Sequence, residues 1–226
     1  LSEIMERENK DMIVNMLYVR SSLERANESR REMEAVNVKL LKQSETDQMT
    51  GLANRYRLND YSDKVLDYCY EHRLPLAMEI LDIDFFKQYN DNYGHQQGDE
   101  CIIAIADELK KMEDRQTFCA RYGGDEFIII YAGASAEEVY AKAAALRQNI
   151  MDLKLEHLYS KALPIVTISQ GISYGVPEEG NRSWDFLHTA DMLLYQVKKK
   201  SRNDICIADI RGQELDLSSK QEKVEP

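Results

Sequence analysis

Two adjacent glycines between two strand-like runs set the first hard constraint on how this chain can fold. Thr117-Phe118-Cys119-Ala120-Arg121-Tyr122 precedes Gly123-Gly124 and Phe127-Ile128-Ile129-Ile130-Tyr131 follows, so the pair sits where a tight hairpin needs positive φ. Asp125 and Glu126 come next, which places two carboxylates on the turn. Glycine also lets the phosphates of another molecule approach the backbone, whereas neighbouring acids repel those phosphates unless a divalent cation stands between them. The turn therefore fits either an ordinary acidic loop tip or a metal–nucleotide site.

A second acidic cluster shifts the balance towards the metal site. Leu81-Asp82-Ile83-Asp84-Phe85-Phe86-Lys87 follows directly on the apolar stretch 76–81. A carboxylate closing a buried strand is costly unless something compensates it, and a hard cation is the simplest compensation. Asp82 and Asp125 are thereby candidates to share one ion. Glu79, an acid inside the same apolar stretch, is expected at an exposed or partnered position.

Further blocks stand in order along the chain: Asp47 to Arg55, Asp82 to Asp91, Gly94 to Asp99, Arg121 to Phe127, Val166 to Gly171, and Ala190 to Tyr195 leading into Lys198 to Asn203. Together they resemble the GGDEF-type diguanylate cyclases, bacterial enzymes that condense two GTP into cyclic di-GMP. The likeness spans about residues 47–208. It implies that Asp82 and Asp125 offer carboxylates, and Ile83 its main-chain oxygen, to Mg²⁺ or Mn²⁺, with Glu126 helping to hold a second ion. By the same resemblance Asp125 is the candidate proton acceptor and Lys87 stabilises charge in the transition state. Amides near Phe85, Phe86 and Lys87 would receive a triphosphate at a helix start. Lys198 and Arg202 match the family's triphosphate-contacting pair, one helical turn apart if that helix continues. Ser201 stands between them where the family usually has Gly. Asn90 and Asp99 match guanine-contacting positions, and His95 a position near the nucleotide. An aspartate can accept from the paired N1 and N2 hydrogens of guanine, which adenine lacks. The family's inhibitory product motif, Arg-x-x-Asp, finds Asp114 and Thr117 at its ends here, so product inhibition through it is not expected. The alternative within the family is an inactive module that binds GTP or cyclic di-GMP and signals by contact; against it, the signature acids are all present.

Charge agrees with that reading. Against 40 acidic residues stand 29 basic ones, a net charge of -11, which argues against a nucleic-acid binder, normally marked by a basic stripe. Cys69, Cys101, Cys119 and Cys206 lack metal-type spacing, so free thiols in the cytoplasm are expected. Apolar runs fall short of the ~20 residues a bilayer span needs. Because the chain opens on Leu1, it is expected to be the output portion of a longer protein whose upstream sensor region is missing.

Residues 1–46 lack Pro and Gly and carry Met5, Met12, Val19, Ala26, Met33 and Leu40 at seven-residue intervals. Met16 and Leu23 are apolar at the companion positions, whereas Asn9, Arg30 and Asn37 are polar. The pattern predicts a coiled coil that joins two copies in parallel, with a lone amphipathic helix as the other reading. A hinge is expected at 44–47, with Thr50 capping the next helix. Beyond it the pattern predicts helices over 55–71, 84–92, 98–112, 136–153 and 184–197, strands over 76–81, 165–173 and 204–208, and the hairpin about Gly123. That order indicates an α+β fold, a mostly antiparallel sheet flanked by helices, similar to the palm-like nucleotide cyclases. The domain would run over 47–210, with a disordered tail over 211–226.

Overall fold

The computed structural model describes residues 16, 19–34, 36, 45–213 and 215. It divides after Ser44 into two units, Leu1–Ser44 and Glu45–Pro226. In the first, residues 19–34 form one helix with ion pairs Arg20–Glu24 and Arg30–Glu34 along its surface. Met16, Val19, Leu23 and Met33 are 62–69% exposed, an apolar seam that the single chain leaves uncovered. The heptad positions Met5, Asn9, Met12, Asn37 and Leu40 lie outside the described residues.

The second unit is an α+β sandwich. Its elements are α1 (Arg55–His72), β1 (Leu76–Ile83), α2 (Phe86–Tyr93), α3 (His95–Met112), β2 (Thr117–Gly123), β3 (Glu126–Ala132), α4 (Ala136–Asp152), β4 (Ile168–Gly175), α5 (Ser183–Lys200) and β5 (Ile205–Asp209). The sheet runs β2-β3-β1-β4-β5. All neighbours pair antiparallel except β4 with β5. Strand alternation divides the core: Ala77, Leu81, Phe127 and Ile129 pack under α3 and α4, while Leu76, Met78, Ile128 and Ile130 face Leu58, Leu66 and Phe186 of α1 and α5.

Several boundaries differ from the sequence expectation, each for a local reason. Thr50 does not cap a helix; its hydroxyl and amide both donate to Asp47 Oδ1, at 2.7 and 2.9 Å, and close a turn. Asn54 is the cap instead, accepting from the Arg57 amide. β1 runs on to Ile83 because pairing with β4 continues to Ile83↔Ile168. β4 starts at Ile168, since Val166 is drawn back to the Leu155 carbonyl, and it runs on to Gly175 opposite Leu76. Gly171 lets α5 lie directly on β4, as a Cβ there would stand 2.2 Å from the Ala190 carbonyl oxygen. Within the stretch expected as a tail, Asp209 to Gln213 form a turn and the Leu215 amide donates to the Ile207 carbonyl. Residue 214 and residues 216–226 are outside the described residues.

Candidate functional site

The central strand β1 delivers the first of the acids. Asp82 pairs across the sheet with Glu126, the first residue of β3, and with Ser169 on its other side. Asp125 occupies the turn between β2 and β3, where Gly124 has φ 56 and Gly123 φ 156. That turn is fastened: Arg121 donates from Nε and Nη2 to the Gly124 carbonyl at 3.1 and 2.8 Å, and from Nη1 to Asp47 Oδ1 at 3.1 Å. Burial pushes the Asp47 carboxyl up, but the hydrogen bonds from Thr50 and the Arg121 pairing outweigh it and hold it below its ordinary value. Hydrogen bonds to a charged partner of this kind contribute about 2 kcal/mol. The segment entering the domain is thus bound to the acidic turn, also through the Arg121 amide to the Ala53 carbonyl.

Asp82 is poorly compensated. Lys198 Nζ lies 2.6 Å from its Oδ2. Burial nonetheless pushes its carboxyl up to about 6, the Lys198 ammonium pulling it down while Asp125 and Glu126 push it further up. Glu126 is raised too, by burial first and then by Asp125 and Asp191, against Lys198. Acids that repel one another at the end of the central strands, with one ammonium beside them, make an all-oxygen donor set for a hard divalent ion. The Ile83 side chain is in the core, so its carbonyl is the group it can contribute. Among the described residues no three acid, His or Cys side chains form a ready-made cage; Asp82, Asp125 and Glu126 meet electrostatically rather than at one point.

Beyond Ile83 the chain turns sharply. Asp84 is fully buried and takes hydrogen bonds from Thr167 Oγ1 (2.8 Å), Ser169 Oγ (2.6 Å) and the Asn203 amide (2.9 Å), with Arg202 Nη1 at 3.5 Å. Phe85 then adopts φ 58 and ψ 30, a left-handed conformation that costs a non-glycine residue about 1–2 kcal/mol. α2 follows, and its first amides precede any intrahelical acceptor. Arg202 lies over the Phe85 ring at 4.3 Å. The Phe86 ring is in the core, which leaves its amide as the available group, and Lys87 is exposed.

Lys198 lies on Asp82 and Arg202 on Asp84, and they reach these two acids from different backbone settings. α5 ends at Lys200, and Arg202 turns left-handed (φ 55) with its amide on the Val197 carbonyl, so the two are not successive turns of one helix. Ser201 has φ -135, ordinary backbone, and the positive φ falls on Arg202 and Asn203 instead.

Asn90 lies in α2 and Asp99 in α3, beyond the same turn. Asn90 Oδ1 is buried without a partner in the structure. Gly98 makes that placement possible, because a Cβ there would stand 1.8 Å from this oxygen. His95 is exposed in the first turn of α3, which starts three residues earlier than predicted. Sequence reasoning did not single out Asp84 as an organiser, nor Asp191, His188 and Trp184. These last three line a cleft of about 210 Å³ with Ile80, Tyr122 and Ile128, sharing Glu126 with the acidic site. The spacing of Trp184, His188 and Asp191 along α5 was the available signal.

At the positions of the product motif, Lys142 bonds both Asp114 Oδ2 (2.9 Å) and Thr117 Oγ1 (2.7 Å). Glu79 is buried rather than exposed, with the Tyr131 hydroxyl donating to its Oε2 at 2.8 Å. Among the described residues no helix is long and apolar enough to cross a membrane.

A family model described as diguanylate cyclase, GGDEF domain, matches residues 44–204. The chain is 34% identical over 163 residues to the probable diguanylate cyclase DgcC of Escherichia coli K12, covering 71% of this chain and 42% of that protein. Over 160 residues it is 31% identical to the response regulator PleD of Caulobacter vibrioides, covering 71% of this chain and 35% of that one. The chain thus spans less than half the length of these curated relatives. Among solved structures, the coiled coil and GGDEF domain of DgcB from Caulobacter crescentus, in complex with c-di-GMP, aligns with TM-score 0.67 at 29% identity, over 81% of this chain and 97% of that one. Diguanylate cyclase SiaD of Pseudomonas aeruginosa, in complex with its activator SiaC, aligns with TM-score 0.64 at 25% identity, over 91% and 76%.

Proposed function

The chain belongs to the GGDEF diguanylate cyclase family, and from that premise we propose that it condenses two GTP into cyclic di-GMP with release of two pyrophosphates. The observation that carries this reading is the pair of under-compensated carboxylates Asp82 and Glu126 beside the Asp125 turn, with Lys198 on Asp82, Arg202 on the neighbouring Asp84, and an open helix start.

Family members use divalent metal ions, and the donor set here suits Mg²⁺ or Mn²⁺: Asp82, Asp125 and the Ile83 carbonyl for one ion, Glu126 for a second. Bound there, the metal would polarise the attacking hydroxyl and offset charge on the phosphates. The remaining roles fall to the chain. Asp125 accepts the proton of the 3′-hydroxyl. Lys87 offsets charge that develops at the α-phosphate. Amides of Phe85, Phe86 and Lys87 and the side chains of Lys198 and Arg202 hold the triphosphate. The Lys198 ammonium, now on Asp82, has the length to serve a phosphate instead. Asn90, with its unpaired oxygen, and Asp99 read the guanine edge, and His95 flanks the nucleotide.

One such site holds one GTP, so two catalytic units, residues 47–210, face each other before either hydroxyl reaches the opposite phosphate. Alignment of that kind contributes several kcal/mol. The exposed seam of Met16, Val19, Leu23 and Met33 supports a homodimer through residues 1–46. GTP as substrate and cysteines that form no disulfide favour the cytoplasm.

Incubation with GTP and Mg²⁺ tests the reading. Pyrophosphate and a cyclic dinucleotide are expected from the native chain and not from Asp125→Ala; GTP binding without product would make it an inactive signalling module.

A further inference from the structure

His157 is the least expected side chain near the site. It lies in the connection between α4 and β4, where its amide donates to the Pro164 carbonyl and Glu156 bridges to Ile165, so its backbone is held firmly. The ring is fully buried. Tyr89 meets it edge-on with centroids 5.1 Å apart, and Tyr93 flanks it at 6.3 Å. Nε2 lies 3.2 Å from the carbonyl oxygen of Phe85. A carbonyl only accepts, so Nε2 carries the hydrogen. Nδ1 is then a buried lone pair, and it has no partner in the structure. Burial lowers the imidazole pKa, which agrees with a neutral ring.

Phe85 is the residue in this turn that most needs restraint. Its backbone is left-handed without being glycine, and as the cap of α2 it makes no side-chain capping bond. Its carbonyl receives both the Tyr89 amide, at 3.0 Å, and the His157 ring, while its own ring carries the Arg202 guanidinium. Two connections far apart in sequence, 153–167 and 201–204, therefore converge on one strained residue, one at its carbonyl and one at its ring.

We propose that His157 is a positioning residue for triphosphate binding: by donating to the Phe85 carbonyl it holds the left-handed turn that aims the first amides of α2 and seats Arg202. The role rests on the assignment of this turn to the triphosphate, and it concerns the phosphates alone, not the guanine.

The test compares His157→Phe, which keeps a ring in the aromatic cage but loses the donor, with His157→Gln, whose Nε2 can replace it. His157→Leu, which has no side-chain donor, serves as a second donor-free variant if phenylalanine disturbs folding. Each is prepared in the full chain, and KM for GTP, kcat, and binding of tripolyphosphate and of guanosine are measured. Loss of the donor is expected to raise KM and weaken tripolyphosphate about five- to tenfold, as for one lost hydrogen bond, with kcat within about twofold and guanosine unchanged. Glutamine is expected to restore both to near the native value. Unchanged tripolyphosphate binding in the donor-free variants, equal weakening of guanosine, or failure of glutamine to rescue would each overturn the proposal. Because tripolyphosphate binding needs no turnover, a native chain that makes no cyclic dinucleotide sinks the cyclase reading while His157 is still decided. Absence of tripolyphosphate binding by the native chain overturns the His157 role outright.

Discussion

Asp82 and Asp84 stand two residues apart at one end of β1, and their surroundings treat them in opposite ways. Asp84 is sealed in and answered by two hydroxyls, an amide and a guanidinium. Asp82 keeps an 8% exposed edge, one lysine, and two acids that repel it. A carboxylate with its bonds satisfied holds a structure together, whereas one left short of positive charge is ready to take a cation from outside. The sequence Asp-Ile-Asp does not reveal which is which.

The sharpest way to break this contrast is to neutralise each acid separately. Asp82→Asn is expected to lower cyclic dinucleotide formation roughly 1000-fold or more, measured as product from GTP. It should not weaken the fold. Asp82 is raised in the folded state, so its contribution to stability is full below the ordinary carboxylate range and lost as pH rises through about 6. Removing its charge should therefore raise the unfolding free energy at pH 8 by about 1–3 kcal/mol in urea titrations. A marked loss of stability would mean that Asp82 is structural after all.

Asp84→Asn is expected to do the reverse. Losing one acceptor oxygen and gaining an amide donor opposite Thr167, Ser169 and Asn203 should cost about 3–5 kcal/mol, seen as a shifted urea midpoint. Any loss of GTP turnover should follow the loss of folded protein and the displacement of Arg202. If the variant is as stable as the parent, the comparison fails.

Glu79 sharpens the contrast from inside the core. Burial pushes it up to about 7 from an ordinary 4.5, with the Tyr131 bond opposing the rise. Its contribution to stability is full below about pH 4.5 and is lost as pH rises through about 7. Glu79→Gln should abolish a pH-dependent loss of up to about 3 kcal/mol between pH 5 and 8, read from unfolding midpoints across that range. An unaltered pH profile would show that Glu79 is not the group responsible.

The smallest expected effect is none. With Lys142 bridging Asp114 and Thr117, micromolar cyclic di-GMP should leave initial GTP turnover unchanged. Strong inhibition in that range would place a product site on this surface.

The local pattern of the chain was enough to find the hairpin, the alternating core strands and most helix bodies, and to mark Asp82, Asp125 and Glu126 as candidates for the site. Period, glycine punctuation and the cost of burying charge are properties of short segments, and they survive without tertiary context. What the pattern could not decide were quantities set by distant partners. The compensation of Asp82 and Asp84 depends on Lys198, Thr167 and Asn203, more than 80 positions away along the chain. The left-handed turns at Phe85 and Arg202 are not favoured by their own side chains and persist because packing over-determines them. His157 carried no local signal at all, and it gained one only when folding set its ring against the Phe85 carbonyl.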